Sequence, residues 1–390
     1  MNILFLMGQY PSVGGVEKVS TVLANEFVRR GHQVDIVSFE QPNPEIARQE
    51  LDKSVLLHAL SFPVSKRENR NMLQEIIRAR KIDFIISQWA VPFYVARLCR
   101  RAIKGTNCKL ITVHHNLPDT NARIKSIEID IENRKGNRFV NLLKLTAVRT
   151  VSRLNLRGVY HLSDRYIVLS ESFKKIARKY MWLRTTRKML AISNPVTTNT
   201  ATPSLQICKE NEIIYVGRIE YNQKRNYRIV DIWEKVKDKF PEWKLTIIGD
   251  GPDKDDLAER IRTRNLDRIK IVGFQNPIHY YQKAALILLV SEYEGLPLVL
   301  AEAMTFGCIP VILATFPAIH DIIDGTNGVK VNPPYNRELM AEALMSLMSN
   351  QKKRVEYGKA AIESVSKFNL DSIANQWEQL FHCLAANIQQ

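Results

Sequence analysis

Two carboxylates, Glu294 and Glu302, stand eight residues apart around a strand-to-helix junction, and two cations, Arg218 and Lys224, flank a second such junction. Carboxylates accept hydrogen bonds from sugar and ribose hydroxyls, whereas an arginine fork and a mobile lysine ammonium suit a diphosphate. The first junction reads Ser-Glu-Tyr-Glu-Gly-Leu-Pro-Leu-Val-Leu-Ala-Glu-Ala-Met-Thr over residues 291–305. It follows the apolar run 285–290, which predicts a buried strand, and residues 298–305 are helix formers throughout. Gly295 permits a tight backbone path and Pro297 suits a first helical turn. The free amides of Leu298 and Val299 should then face the crevice beyond the strand, where a helix start attracts anions. About two helical turns bring Glu302 to the same crevice as Glu294. Such a site repels a bare phosphate and fits a ligand whose phosphates are flanked by hydroxyl-rich groups.

Glu294 and Glu302 match the Glu-x7-Glu motif of retaining glycosyltransferases of family 4, and the stretch around them resembles that family almost residue for residue. Gly217-Arg218 and Lys224 resemble the family's diphosphate grip, although Lys224-Arg225 stands where relatives usually have Lys-Gly. Gly249 lies in a turn that resembles one approaching the donor, and Gly273-Phe274 resembles the backbone that contacts the nucleobase. The resemblance implies the GT-B fold, two doubly wound Rossmann-like α/β domains facing across a cleft, with a nucleotide-sugar donor on the second and a glycan or lipid-linked acceptor on the first. It implies glycosyl transfer with retention of configuration in surface polysaccharide biosynthesis. Arg218 and Lys224 would stabilise the leaving diphosphate, Glu294 would hold sugar hydroxyls and Glu302 the ribose. The departing phosphate would help to deprotonate the acceptor, so no side chain need be a strong base. A UDP-sugar is expected ahead of a GDP-sugar.

The elements that must position these groups read as alternating strands and helices. Strands are expected at residues 2–7, 33–39, 55–60, 83–87, 109–114 and 166–169, then at 212–216, 244–248, up to 274, and 285–290. That alternation implies parallel sheets covered on both faces. Gly14 and Gly15 form a turn between the first strand and first helix, and by the resemblance lie near the donor phosphates. His114 closes the strand 109–114, where carboxyl ends of strands open on a ligand crevice; it is similar to the family's histidine beside the donor sugar and reaction centre. The domains are expected at 1–196, with the helix 369–390 packing back on them, and at 212–368, joined by a linker at 197–211 rich in Thr, Asn and Pro.

The chain of 390 residues carries a net charge of +16, and its placement is uneven. Residues 1–195 hold 33 Lys+Arg against 16 Asp+Glu, while residues 196–390 hold 23 against 24. An anionic partner for the first half follows. Residues 134–160 contain no acid, and read as a helix they set Val140, Leu143, Ala147, Val151 and Leu154 on one face and Arg149, Arg153 and Arg157 on another. The expectation is a helix on an anionic membrane, with those three arginines facing lipid. No apolar run is long enough to span a bilayer, and the start reads as a strand, not a signal peptide, so a cytoplasmic protein at the inner membrane face is expected. Five scattered cysteines read as structural thiols. Asp253-Lys254-Asp255 starts a helix and is not read as a metal motif, so no metal and no cofactor beyond the donor is expected. Nucleic acid is not expected as a partner. The rival readings are a GT-B nucleotide-sugar epimerase or phosphorylase, and a non-catalytic protein that binds anionic membranes or nucleic acid.

Overall fold

The computed structural model describes residues 1–12, 14–43, 45, 49–198 and 209–386. The chain divides into two units, Met1–Thr197 with Asn369–Gln390, and Thr198–Phe368. The first unit holds strands β1 (Asn2–Gln9), β2 (Gln33–Glu40), β3 (Leu56–Ala59) and β4 (Phe84–Ser87). It continues with β5 (Lys109–His114), β6 (Arg165–Val168) and β7 (Met189–Ala191). All pair in parallel in the order β3-β2-β1-β4-β5-β6-β7. β1 is apolar almost without interruption because helices cover both of its faces, and Ile3, Leu4, Phe5 and Leu6 are fully buried.

The second unit holds β8 (Glu210–Val216), β9 (Lys244–Ile248), β10 (Ile269–Gly273), β11 (Ala284–Leu289), β12 (Ile309–Leu313) and β13 (Val329–Val331). These pair in parallel in the order β10-β9-β8-β11-β12-β13. In each sheet the strand order reverses once, between β1 and β4 and between β8 and β11. Loops diverge there at the carboxyl ends, leaving the crevice that open α/β sheets use for ligands.

The helix Leu370–Ala386 belongs to the first unit. Phe381 stacks on Phe84 at 4.8 Å and meets Phe27 edge-on at 5.6 Å. At its rim Arg30 donates to Asp371 at 3.0 Å and to Glu378 at 2.7 Å.

Some expectations move. Residues 199–208 of the expected linker lie outside the described residues, and Glu210 and Asn211 already belong to β8. Both are polar, so no apolar signal marks them, yet Glu210 pairs in register with Ala284 of β11. Strands β7 and β13 have only three residues each and had no expected counterpart. Cys99, Cys108 and Cys308 are buried, whereas Cys383 is exposed; Cys208 lies outside the described residues. Burial pushes the Cys99 and Cys308 thiols up to about 12, which keeps them protonated and inert.

Candidate active site

At the reversal point of the second sheet, the loop after β8 carries Gly217, Arg218 and Lys224, and the loop after β11 carries Glu294 and Gly295. The loops ending β8 and β9 pack backbone to backbone. A Cβ at Gly249 would stand 1.9 Å from the Gly217 carbonyl oxygen, so only glycine fits there. The Gly249 amide in turn donates to the Gly273 carbonyl at 2.8 Å, linking the ends of β9 and β10. Gly273 has φ +78°, a left-handed conformation natural to glycine, and beside it the Phe274 ring is 72% exposed.

Lys224 and Glu294 come together. The lysine Nζ donates to Glu294 Oε1 at 2.6 Å, and the Gln223 side-chain amide donates to the Tyr293 carbonyl at 3.1 Å. Glu294 is buried. Arg218 is exposed and forms no ion pair among the described residues, while its carbonyl accepts from the Tyr215 hydroxyl at 3.1 Å. The neighbouring cations have other work. Arg228 donates to Glu292 at 3.0 Å and to the Val290 carbonyl at 3.0 Å, and Arg225 lies 3.4 Å from Glu292. Arg225 sits at φ +52°, which explains why a glycine suits this position in the resembling family. Its charge is spent on Glu292.

Pro297 caps the helix Leu298–Thr305 and is not inside its first turn. The first internal bond runs from the Leu300 amide to the Pro297 carbonyl, so the amides of Leu298 and Val299 precede it, as expected. Glu302 is buried on this helix and accepts from the Tyr281 hydroxyl at 3.2 Å. Burial, and then Glu302, pushes the Tyr281 phenol well above its ordinary value, which keeps it a donor. Asp253 accepts from the Tyr221 amide at 2.6 Å, which ties it to the β8 loop. No group of three or more metal-ligating side chains exists among the described residues.

In the first unit, His114 ends β5 and is buried against Tyr166, whose hydroxyl lies 2.6 Å from Nδ1. Burial lowers its pKa to about 4, so the ring is neutral near pH 7. His115 Nε2 bonds Gln88 Oε1 at 2.7 Å, and burial followed by the His114 charge lowers its pKa to about 3. Gly14 precedes the helix Gly15–Arg29, and Glu17 folds back so closely that a Cβ on Gly14 would meet its carboxylate.

The arginines expected to face lipid each have partners within the protein. In the helix Arg138–Leu162, Arg149 pairs with Glu128 at 2.6 Å, and Arg153 donates to the Tyr180 carbonyl at 2.7 Å with its guanidinium 4.0 Å from the Trp182 ring. Arg157 donates to the Trp182 carbonyl at 2.8 Å. These carbonyls close the helix Glu171–Tyr180, whose unsatisfied, partly negative end attracts cations. The stripe read as one face of an amphipathic helix points outward: Val140 is 42% exposed, Leu143 56%, Val151 67% and Leu154 55%, and Phe139 beside it is 69% exposed. A second apolar set, Leu145, Leu156 and Val159, supplies the buried face.

Sequence reasoning missed Tyr166, Tyr281, Gln223 and Glu292. Each acts through a partner distant in sequence, and only Gln223, next to Lys224, and Glu292, two residues before Glu294, carried a local signal, their nearness to a motif residue.

A family model described as Glycosyltransferase Family 4 matches residues 13–200, and one described as Glycosyl transferases group 1 matches residues 199–364. A Haemophilus influenzae protein named as an uncharacterized glycosyltransferase is 24% identical over 97% of this chain and 99% of its own length. The amylovoran biosynthesis glycosyltransferase AmsD of Erwinia amylovora is 34% identical, over 45% of this chain and 49% of that protein. Among solved structures, Anabaena Alr3699/HepE in complex with UDP and glucose superposes with a TM-score of 0.74 at 16% identity, covering 98% of this chain and 100% of that one. With both halves matched by glycosyltransferase models and the fold shared end to end, the chain is a glycosyltransferase of the family 4 type with the GT-B fold.

Proposed function

We propose that this enzyme is a retaining transferase that moves a glycosyl group from a UDP-sugar to a glycan or lipid-linked acceptor in the building of a surface polysaccharide. The observation that carries the reading is the Lys224–Glu294 contact of 2.6 Å beside the exposed Arg218. It sets a cation for a departing diphosphate next to a carboxylate for sugar hydroxyls, the two demands of this donor class. In this reading Arg218 and Lys224 take the diphosphate, Glu294 the sugar, Glu302 the ribose, and Gly273 and Phe274 the base. Gly249 shapes the turn beneath them, and Gly295 with the Leu298 and Val299 amides completes the donor side. In the first unit, Gly14 and Gly15 are assigned to the donor phosphates, and His114 serves the sugar as a neutral ring. Alr3699/HepE, named with UDP and glucose, and AmsD, named for amylovoran biosynthesis, support the donor and the polymer.

The acceptor is met at the inner face of an anionic membrane, where the apolar stripe Phe139, Leu143, Val151 and Leu154 inserts and the exposed Arg134, Lys135, Arg138 and Lys144 contact lipid phosphates. Among the described residues no helix is long and apolar enough to cross a membrane. Transfer proceeds without a bound metal, so EDTA leaves turnover intact.

Titration of UDP, GDP and ADP against thermal stability tests the donor. A true ligand at a hundredfold excess over Kd stabilises by about 2.7 kcal/mol. Stabilisation by GDP or ADP but not UDP would overturn the donor assignment, and an inverted anomeric product would overturn retention.

A further inference from the structure

At the reversal point of the first sheet, the carboxyl ends of β1, β2 and β4 line a half-open cavity of 340 Å³. That volume falls within the roughly 300–1,000 Å³ of sites that enclose small ligands. One wall is aromatic. The half-buried Trp89 ring lies against the backbone of Gly8, where a Cβ would come within 3.2 Å of it. Phe62 stands 6.4 Å away, nearly perpendicular to the indole. The other wall is polar and carries Glu17 and Glu40, with Gln9 and Gln88 beside them. The Gln9 side-chain amide donates to the Glu40 carboxylate. Among the described residues no lysine or arginine lines the cavity, although residues 1–195 hold 33 cations against 16 acids.

We propose that this cavity is the acceptor-sugar subsite, and that Glu17 and Glu40 make it select an uncharged saccharide over one bearing a carboxylate or phosphate. The inference rests on the transferase reading above and names its acceptor class. A pyranose presents an apolar C–H face that suits the indole, and hydroxyls that donate to carboxylates and bond amides. Among the described lining residues an anionic sugar meets two carboxylates and no compensating cation. Burial already pushes the Glu17 carboxyl above its ordinary range, so its charge is held against desolvation, and a second anion nearby adds to that cost. A polyol-phosphate acceptor is disfavoured for the same reason.

The test uses the full chain with saturating UDP, and reads binding of methyl glucoside and methyl N-acetylglucosaminide against methyl glucuronide and methyl glucoside 6-phosphate by saturation-transfer NMR. The wild type should favour the neutral pair by about tenfold or more, as expected for like charges at close range. E17Q/E40Q should narrow that ratio severalfold with unchanged UDP affinity, and E40Q alone, at an exposed strand end, should narrow it in part if the double variant does not fold. Trp89→Ala should weaken both classes. Equal or tighter binding of the anionic sugars, an unchanged ratio in the variants, or no saccharide binding by protein that binds UDP would overturn the inference. Loss of UDP binding in the wild type would instead count against the donor reading.

Discussion

Lys224 Nζ lies 2.6 Å from Glu294 Oε1, so the cation expected to hold a diphosphate and the carboxylate expected to hold a sugar are bonded to each other. The pair joins the loop after β8 to the loop after β11, and the Glu292 amide, donating to the Gln223 carbonyl at 2.7 Å, adds a backbone link. A donor sugar diphosphate can meet both groups at once, because the ammonium has three protons and the carboxylate several lone pairs.

Lys224→Ala should lower turnover about a hundredfold or more, the usual effect of removing one donor to a developing oxyanion. It should also destabilise the fold, because Glu294 stays buried without its cation. The double variant K224A/E294Q should recover part of that loss, with a coupling of about 1–2 kcal/mol in urea denaturation. Additive stabilities would show that the pair is not a structural unit.

Arg218 and Arg228 should separate function from stability. Arg218→Ala removes an exposed guanidinium without an ion pair among the described residues, so turnover should fall about a hundredfold with little change in Tm. Arg228→Ala strips the buried Val290 carbonyl and Glu292 of a donor and should cost about 1–3 kcal/mol of stability. Near-normal turnover in R218A would remove its diphosphate role.

The neutral His114 makes a pH prediction. Its pKa falls from 6.5 unfolded to about 4 folded through burial. Below pH 6.5 the unfolded chain binds a proton that the folded ring refuses, so the stability contribution is full above 6.5 and lost as pH drops towards about 4. His114→Asn should lessen the slope of stability against pH between those values in urea midpoints, the rest coming from the buried His115, whose pKa is lowered to about 3. A wild-type curve already flat over that window would show that His114 is not shielded as the structure has it.

Much of the fold was legible because its strands are short, apolar and buried on both faces: β5 and β9 match the expected ranges, and β8 departs only at two polar residues. The site's motif residues were legible too, since glycine and proline mark the loop after β11 and Gly249 reads as a turn. What was not legible depends on neighbours distant in sequence. Nothing in residues 291–305 says that Glu302 will meet Tyr281, and nothing in residues 134–160 says that Arg153 and Arg157 will find the carbonyls closing the helix Glu171–Tyr180. Helical periodicity identifies faces. It does not decide which of two apolar faces is covered, and here the helix Arg138–Leu162 buries Leu145, Leu156 and Val159 instead.

That inversion changes the membrane prediction. Arg149, Arg153 and Arg157 are held by Glu128 and by backbone carbonyls, so changing all three to Gln should lower stability more than it lowers lipid binding. Phe139 and Leu143 are exposed near the start of the same helix, with Arg138 and Lys144 exposed beside them. Full burial of one such apolar side chain is worth about 1.5–3 kcal/mol, and a basic residue near an anionic surface adds about 1 kcal/mol. Phe139→Glu with Leu143→Glu should therefore cut binding to phosphatidylglycerol vesicles about a hundredfold or more, leaving Tm and UDP affinity near wild type. Wild-type binding should persist in part at high salt, because the inserted rings and chains are not screened as surface charges are. Flotation of the two variants and the wild type on phosphatidylglycerol and phosphatidylcholine vesicles checks each arm. If the double Glu variant floats like the wild type while the triple Gln variant sinks, the arginines and not the apolar stripe face lipid, and a wild type that floats with neither lipid removes the membrane contact altogether.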